Sequence, residues 1–246
     1  MAAVDGLVAA RALGRWRTNC VVLGRPSSGR VAVLDPGEGA FEAVPALLAG
    51  FGLEAEAIVL SHGHLDHLWS APALAQLLDV PVHLHPADRW LWDDPGAGFG
   101  GRLESIADEL GIADWPTAGV DRRDLVDGQR LMLAGLALDV HHTPGHTPGH
   151  VTLTTSLPEA TVVELDGETI EHAGALLCSG DLLFAGSVGR TDLPGGDATA
   201  MTASLASTLD RHADATLVLP GHGPLTTIGR ERSRNPHLVG LATPRA

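Results

Sequence analysis

The chain has 246 residues and a formal net charge of −14. It contains no Lys and no Tyr, so every permanently positive side chain is an Arg. This acidic balance argues against nucleic acid or an anionic membrane as a partner, because both bind positively charged surfaces. No stretch of about 18 residues is apolar enough for a spanning helix, and Met1–Arg17 lacks the apolar core of a signal peptide. We therefore expect a cytoplasmic protein in which Cys20 and Cys178 are reduced thiols.

The length suits one α/β domain over residues 1–246. Near the N-terminus, β-rich runs predict a hairpin, and apolar residues at helical spacing then predict a helix with Pro45 in its first turn and Gly52 as its C-cap. The first half predicts the following elements in order: strands 19–23 and 30–34 around a turn at 26–29, a helix at 41–51, a strand at 56–60, a helix through Leu74 and Leu78 with Ser70 as its N-cap, a strand at 80–84, a loop at 93–101 and a helix at 103–110.

The second half has a similar mixture of strands and helices, which indicates two layers of sheet between outer helices. Its predicted elements are a hairpin at 130–140 turning at Ala134-Gly135, a strand at 151–155, a polar excursion at 158–174, a strand at 175–178, a helix capped by Asp197 and a strand at 217–219. Three tryptophans flank the 93–101 loop, and we expect core or rim packing for them rather than a substrate cleft: Trp90, Trp92 and Trp115.

The densest group of chemically active residues is Ser61–His67, directly behind the predicted buried strand 56–60. His62 and His64 are two apart on extended chain and project to the same side. Asp66 and His67 follow as the chain turns, so they can face a second centre beside the first. Imidazole and carboxylate are ligands that zinc prefers. The segment therefore predicts half of a two-metal site.

The same arrangement recurs later in the chain, where a strand or hairpin ends in a Gly-containing turn that carries a His or an Asp. These positions are His146, Asp181 and His222. The run Thr143–His150 contains two Thr-Pro-Gly-His repeats, so spacing alone does not choose between His146 and His150 as a ligand. The roles of His83, His85, His141 and His142 and the oligomeric state stay open.

These motifs resemble the metallo-β-lactamase superfamily. The resemblance rests on four motifs in the family's order, covering about residues 20–235: His-x-His-x-Asp-His at 62–67, Thr-Pro-Gly-His at 143–146, Ser-Gly-Asp at 179–181 and Gly-His-Gly at 221–223. Within the superfamily, segments 179–192 and 229–236 are most similar to compact glyoxalase II-type hydrolases. The resemblance implies a four-layer αββα sandwich with the metal site at one edge of the sheets.

The resemblance also implies a role for each candidate residue. His62, His64 and His146 would hold one metal, Asp66, His67 and His222 would hold the other, and Asp181 would bridge the two ions. Asp66 and Asp181 are the predicted catalytic residues, and His150 would support the site from behind the ligands. The cofactors are two divalent ions. Zinc is the first expectation, and iron or manganese would also suit this thiolate-free ligand set.

Charge counting links this site to hydrolysis. Two divalent ions bring +4, and two carboxylates with a bridging hydroxide leave about +1, which favours an anionic substrate and polarises a carbonyl oxygen. The glyoxalase II resemblance implies a small-molecule 2-hydroxyacyl thioester as the substrate and Arg190 as a contact to the thiol carrier. The longer family members have a C-terminal helical domain for glutathione, which is not expected after about residue 235 here, so the carrier stays open.

Other functions fit parts of the pattern. A mononuclear-iron persulfide dioxygenase shares a similar Gly-Arg-Thr-Asp segment at 189–192. A hydrolase of another ester or of a lactone is a further alternative, although the related lactonases use a Tyr that this chain lacks. A zinc scaffold without catalytic activity is the least favoured interpretation, because all seven candidate ligands are present. Metal content would best distinguish the thioesterase from the persulfide dioxygenase.

Overall fold

The computed structural model describes residues 5–101, 107–108, 110, 115–239 and 241. The strands are β1 (Gly6–Leu13), β2 (Thr18–Gly24), β3 (Arg30–Leu34), β4 (Glu54–Val59), β5 (Val82–Leu84), β6 (Arg122–Asp124), β7 (Arg130–Leu133), β8 (Leu136–His142), β9 (Val151–Leu165), β10 (Glu168–Gly180), β11 (Leu183–Phe184), β12 (Ser187–Val188), β13 (Leu217–Pro220) and β14 (Thr226–Thr227). The helices are α1 (Ala40–Phe51), α2 (Leu65–Leu68), α3 (Ala71–Leu78), α4 (Arg89–Asp93), α5 (Ala198–Arg211) and α6 (Ile228–Arg234). The helix predicted at 103–110 lies mostly outside the described residues.

The strands of the main sheet form one mixed hydrogen-bonded network in the order β14-β13-β10-β9-β1-β2-β3-β4-β5-β6, with β8 also on β9 and β7 on β8. The pairs β3–β4, β4–β5 and β5–β6 are parallel, and so is β10–β13. The carboxyl ends of parallel neighbours meet at one edge of a sheet. The turns after β3, β4 and β5 therefore share that edge.

Side-chain alternation divides this network into two packed layers. Along β2, Val21 and Leu23 point into an apolar core shared with β8, β9 and β10, whereas Cys20 and Val22 point to the other face and pack against α1 and α3. On the opposite layer, Leu177 of β10 packs against α5 and α6. A strand with one face on each of two cores must lie between a helix layer and a second sheet. This is the four-layer αββα sandwich that the sequence predicted.

The β9–β10 ribbon connects the two sheet layers. Its first part, Val151–Thr154, pairs with β8, whereas its last part, Thr161–Leu165, runs parallel to β1. The pairing of β9 with β10 shifts register near Gly174, at the bend between these parts. The polar excursion predicted at 158–174 is therefore an extension of the ribbon. Its polar composition reflects an exposed outer face, while Thr161 and Val163 are fully buried.

Several local predictions are confirmed, and others, like that of the polar excursion, differ from the structure. Gly52 adopts the left-handed conformation that ends α1, and Asp197 accepts hydrogen bonds from the N-terminal amides of α5. Pro45 lies in the second turn of α1, because that helix already begins at Ala40. Ser70 occupies the N-cap position of α3 as predicted, but its hydroxyl donates to the carbonyl of Gly37 at 2.7 Å and makes no capping hydrogen bond to the helix. None of the described helices has the length and apolar character needed to cross a bilayer.

Candidate metal centre

The turn after β4 places four of the predicted ligands together. His62 and His64 follow the strand in extended conformation, and α2 then starts at Leu65 and turns the chain. This change of direction brings Asp66 and His67 to the opposite side of the centre. His62 and His67 are fully buried, and His64 is 6% exposed. Such burial of imidazoles is unusual without partners, so the cluster itself must account for it.

The first ligand group consists of His62, His64 and His146, each offering an atom within 4.8 Å of the others. Nδ1 of His64 lies 2.8 Å from Nε2 of His146. Ser61 Oγ lies 3.0 Å from Nδ1 of His62, and Nε2 of His62 is buried with no hydrogen-bond partner among the described residues. The three nitrogens therefore converge on one point, as the ligands of a divalent ion do.

The second group consists of Asp66, His67 and His222. Nε2 of His222 lies 3.1 Å from Oδ2 of Asp66 and 3.3 Å from Nε2 of His67. Asp181 lies between the groups: Oδ1 is 3.3 Å from His67 Nε2, and Oδ2 is 3.5 Å from His146 Nε2. The structure thus brings together all seven residues predicted from the sequence, in the two sets predicted. Their role as ligands stays a prediction.

The electrostatics of the cluster suit metal ions. Burial, followed by repulsion from neighbouring imidazoles, lowers the pKa of His62 well below its ordinary value and that of His64 to about 3. Both rings are therefore neutral, which is the protonation state of a metal ligand. Burial also opposes charge on His67, but Asp66, Asp181 and Asp35 outweigh it and raise the pKa of His67. Neutral imidazole nitrogens and anionic carboxylate oxygens thus converge on the two groups, and this donor set fits divalent ions.

Two buried carboxylates behind the ligands were missed by the sequence analysis. Asp35 accepts from the amide and hydroxyl of Ser61, both at 2.7 Å, and lies 3.0 Å from Nδ1 of His67. It orients His67 and raises the basicity of the ring nitrogen that faces the cluster. Asp35 directly follows β3, which is parallel to β4. A carboxylate just after a strand is the sequence signal, but it points to Asp35 only once that strand is known to be parallel to the ligand strand.

Asp88 joins the two loops that supply the first ligand group. Its carboxylate accepts from Gly63 N at 2.9 Å, from Thr147 Oγ1 at 2.6 Å and from Gly149 N at 2.6 Å. A Cβ on Gly149 would lie 2.7 Å from Cγ of Asp88, so this close approach requires glycine. Asp88 follows β5, which is also parallel to β4, so the same sequence signal applies. The ligand loops are thus fixed to each other as well as to the sheet.

His150 lies behind Asp181, as the sequence predicted. The amide of Asp181 donates to Nε2 of His150 at 3.1 Å, and Thr143 Oγ1 lies 2.8 Å from Nδ1 of the same ring. His146 is held differently, because its Nδ1 donates to the carbonyl of Arg190 at 2.8 Å and leaves Nε2 for the cluster. The structure therefore favours His146 over His150 as the ligand.

The side chain of Arg190 lies on the surface. It is 60% exposed, and two of its nitrogens each donate to the carboxylate of Asp192 at 2.7 Å. Its proposed contact with the substrate stays a prediction, whereas its carbonyl has a clear role in orienting His146. The other histidines left open lie away from the ligand groups; His85 and His142, for example, stack with ring centroids 4.1 Å apart. Trp92 is buried and accepts a hydrogen bond from Trp115 Nε1 through its carbonyl, which supports core packing.

Comparisons with known proteins agree with this geometry. Residues 13–162 match the family described as "Metallo-beta-lactamase superfamily". An uncharacterized protein of Mycobacterium tuberculosis (strain H37Rv) is 36% identical over 230 residues, which are 93% of this chain and 96% of that protein. Hydroxyacylglutathione hydrolase GloC of Haemophilus influenzae is 32% identical over 208 residues, covering 84% of this chain and 86% of GloC.

Two solved structures extend the similarity to the whole fold. BLEG-1 B3 metallo-beta-lactamase has a TM-score of 0.76 and 33% identity, covering 95% of this chain and 100% of that one. TTHA1623 in a di-iron-bound form has a TM-score of 0.69 and 36% identity, and the match covers 92% of this chain and 98% of that one. Both solved structures share the fold of this chain, and the paired His/Asp groups of this chain lie in the motifs that predicted them. The chain belongs to the metallo-beta-lactamase superfamily, and it is a metal-dependent hydrolase.

Proposed function

We propose that the chain hydrolyses a 2-hydroxyacyl thioester of the lactoylglutathione type. The observation that carries this proposal is the pair of adjacent ligand groups, with the Asp181 carboxylate between them, in a chain 32% identical to a hydroxyacylglutathione hydrolase. The formal charge of −14 supports a small-molecule substrate rather than nucleic acid or an anionic membrane.

Two divalent ions bound by these groups would supply a water with a pKa of roughly 7 and an electrophile for the thioester carbonyl. The protein residues set the conditions for that chemistry. Asp66 and Asp181 offset part of the added positive charge, and the remainder favours an oxygen on which negative charge develops. His67 keeps its Nε2 toward the cluster because Asp35 binds its Nδ1.

Zinc is the metal we propose, with iron as the main alternative. The ligand groups contain nitrogen and oxygen donors and no thiolate, since both cysteines are buried elsewhere. Such a set suits zinc and also iron or manganese. The relative TTHA1623 was crystallised in a di-iron-bound form, which supports iron as the alternative.

A second candidate function is hydrolysis of a lactam or lactone. The 33% identity with BLEG-1 B3 metallo-beta-lactamase over 95% of this chain favours it. The persulfide dioxygenase alternative uses a single iron, and the second group of Asp66, His67 and His222 argues against a mononuclear centre. Both hydrolytic candidates react at a carbonyl carbon, in a thioester or in a lactam or lactone ring. Only a comparison of substrates therefore separates them.

The test is a substrate panel with the metal-replete protein: S-lactoylglutathione, its des-hydroxy analogue S-propionylglutathione, a chromogenic cephalosporin and a simple lactone. We expect the lactoyl thioester to be hydrolysed fastest, with kcat/KM about tenfold above the propionyl thioester if the hydroxyl makes one additional polar contact. Asp181→Ala provides the control for metal-dependent turnover. Inert thioesters together with rapid lactam or lactone turnover would contradict the thioesterase proposal.

A further inference from the structure

One buried residue, Asn19, holds the turn that carries His222. Asn19 lies near the start of β2 and is 1% exposed. Its backbone amide donates to the carbonyl of Gly221 at 2.7 Å. Its side-chain amide nitrogen donates to the carbonyls of Pro220 and Gly223, each at 2.9 Å. The turn is therefore bound to β2 on both sides of the predicted ligand.

The same hydrogen bonds fix the orientation of the Asn19 side chain. Because the amide nitrogen donates to both carbonyls, Nδ2 must face the turn and Oδ1 must point away from it. Oδ1 is buried and has no hydrogen-bond partner among the described residues. A buried acceptor without a donor is costly, and most such atoms in folded proteins bind a protein group or an ordered water. Oδ1 therefore needs a donor that the described protein groups do not supply.

A small cavity lies beside Asn19, between the two sheet layers and behind the ligand groups. The volume open to the centre of a water molecule is about 10 Å³, and all the residues that line the cavity are buried. Part of the lining is apolar, including Val21, whereas Asn19, Asp35 and Ser61 supply polar atoms. Cys178 adds a thiol, which is a weak donor. A polar space of this size holds one water and no larger ligand.

Asp35 lines the same cavity and offers a second acceptor to such a water. Its carboxylate accepts from the amide and hydroxyl of Ser61 and lies 3.0 Å from Nδ1 of His67. The two oxygens of a carboxylate together offer about four acceptor positions, so these contacts leave one position free. A water that donates one hydrogen to Oδ1 of Asn19 can donate the other to Asp35. It would then join the residue that holds the turn of His222 to the residue that orients His67.

We propose that the cavity holds one ordered water, which donates to Oδ1 of Asn19 and to the carboxylate of Asp35, and that Asn19 is a positioning residue for the second ligand group. The water connects two supports, because Asn19 holds the turn of His222 and Asp35 orients His67. A displacement of either ligand is then opposed by the support of the other. The proposal rests on the two-metal centre of the proposed function and is independent of which substrate reacts there.

The first experiment measures the affinity of the metal-free protein for zinc, by competition with a chelator. The zinc that His222→Ala no longer binds identifies the second site. Asn19→Leu keeps the size of the side chain and removes its hydrogen bonds, so we expect this second zinc to bind about 10–100-fold more weakly and the other zinc to bind as in the wild type. Asn235→Leu is the matched control, since Asn235 is also buried and its amide donates to Ser187 and Glu231, at 3.0 and 2.9 Å.

Three results of this experiment would overturn the proposal. The first is an equal loss of affinity for both zinc ions in Asn19→Leu, which would indicate general damage to the fold. The second is the same loss in the Asn235→Leu control. The third is a wild type that binds only one zinc. The readout uses no substrate, so inert thioesters would contradict the proposed thioesterase function and leave this proposal intact.

The second experiment examines the water itself. A crystal structure of the zinc-loaded wild type should show one water within about 3.2 Å of both Asn19 Oδ1 and the Asp35 carboxylate. Val21→Ile adds a methyl group at the cavity wall and should displace this water, and the second zinc should then bind about tenfold more weakly. Val22→Ile is the matched control, because Val22 is the next residue of β2 and points to the opposite core. A dry cavity in the wild type would overturn the proposal, as would unchanged zinc affinity in a Val21→Ile variant that has lost the water.

Discussion

The backbone amide of Asp181 donates a hydrogen bond to Nε2 of His150, 3.1 Å away. His150 is fully buried, and its other ring nitrogen lies 2.8 Å from Thr143 Oγ1. Burial and the nearby His146 lower the pKa of His150 to about 3, so the ring stays neutral and Nε2 accepts. The carboxylate that lies between the two ligand groups is therefore positioned from behind by a histidine of the same loop that carries the ligand His146.

This relationship predicts different outcomes for the two histidines. His146→Ala removes one of three nitrogens in the first ligand group and should abolish retention of one ion. His150→Ala only releases the backbone of Asp181, and we expect a loss of about 10–100-fold in metal affinity or activity. Elemental analysis after dialysis against a weak chelator measures both. The ligand assignment is wrong if His150→Ala loses the ion while His146→Ala retains it.

Asp88 provides a test of how the ligand loops are joined. Asp88→Asn puts an amide group where three donors converge, from Gly63, Thr147 and Gly149. At least one donor then loses its acceptor in a buried site, and we expect the free energy of unfolding to fall by about 2–4 kcal/mol. Urea denaturation of the metal-free protein measures this change. Asp121→Asn, at an exposed ion pair with Arg123, is the control and should cost less than about 0.5 kcal/mol. Equal effects of the two substitutions would contradict the interpretation.

The sequence identified residues that the structure brings together, because metal chemistry restricts residue type and spacing. His62, His64, Asp66 and His67 lie within six residues, and their turn follows a strand whose apolar character is plain. The carboxylates that hold these ligands from behind were harder to predict from the sequence. Asp35 and Asp88 acquire their roles only from the parallel pairing of β3, β4 and β5, which depends on contacts between distant segments. Single carboxylates after strands are too common for sequence alone to select.

The fold, too, could be predicted from the sequence only in part. Some elements defined by local turn chemistry were predicted, such as the β7–β8 hairpin, in which Ala134 and Gly135 both have positive φ. The β9–β10 hairpin was not predicted, although Asp166 and Gly167 in its turn also have positive φ. The strand β1 was not predicted, because Gly6–Leu13 is rich in Ala, a residue depleted in strands. Its position is set by β2 on one side and β9 on the other.

We expect His212 to account for part of the loss of folding stability in acid. Burial, followed by His141 and Arg211, lowers its pKa to about 4 from an ordinary value of 6.5. Between these values the unfolded chain binds a proton that the folded chain does not, so the free energy of unfolding falls as the pH falls from about 6.5 to 4. Above pH 6.5 this residue contributes no pH dependence. His212→Gln should reduce the slope in that window, measured by urea denaturation of the metal-free protein. His237→Gln, a His substitution at an exposed position, is the matched control, and an equal change of slope in both variants would contradict the assignment to His212.

The two cysteines should not react in the native protein. Cys20 and Cys178 are both buried. Burial, with a smaller contribution from Asp35, raises the pKa of Cys178 to about 12 and raises that of Cys20 as well. Because the thiolate is the reactive form, we expect no rapid labelling by a thiol-reactive dye at pH 8. Two thiols should appear when the chain is unfolded. Rapid labelling of one thiol in the folded protein would show that the core around it opens easily.

Metal content tests the two-group description most directly. Two ligand groups predict about two ions per chain, and removing them should lower the melting temperature because bound metal stabilises only the folded state. His222→Ala disrupts the second group alone, so it should retain about one ion. Asp181→Ala should weaken both sites, because its carboxylate lies near His146 of the first group and near His67 and His222 of the second.

Protons should compete with the metal for the imidazole nitrogens of this centre, because a His must be neutral to bind an ion. Occupancy should therefore fall as the pH drops below about 6, where free imidazoles become protonated. Elemental analysis across a pH series, on the wild type and on His222→Ala, measures both effects together. A single iron per chain in the wild type, with the same content in His222→Ala, would contradict the binuclear centre. That result would favour the persulfide dioxygenase alternative over hydrolysis, because the second group would then hold no metal.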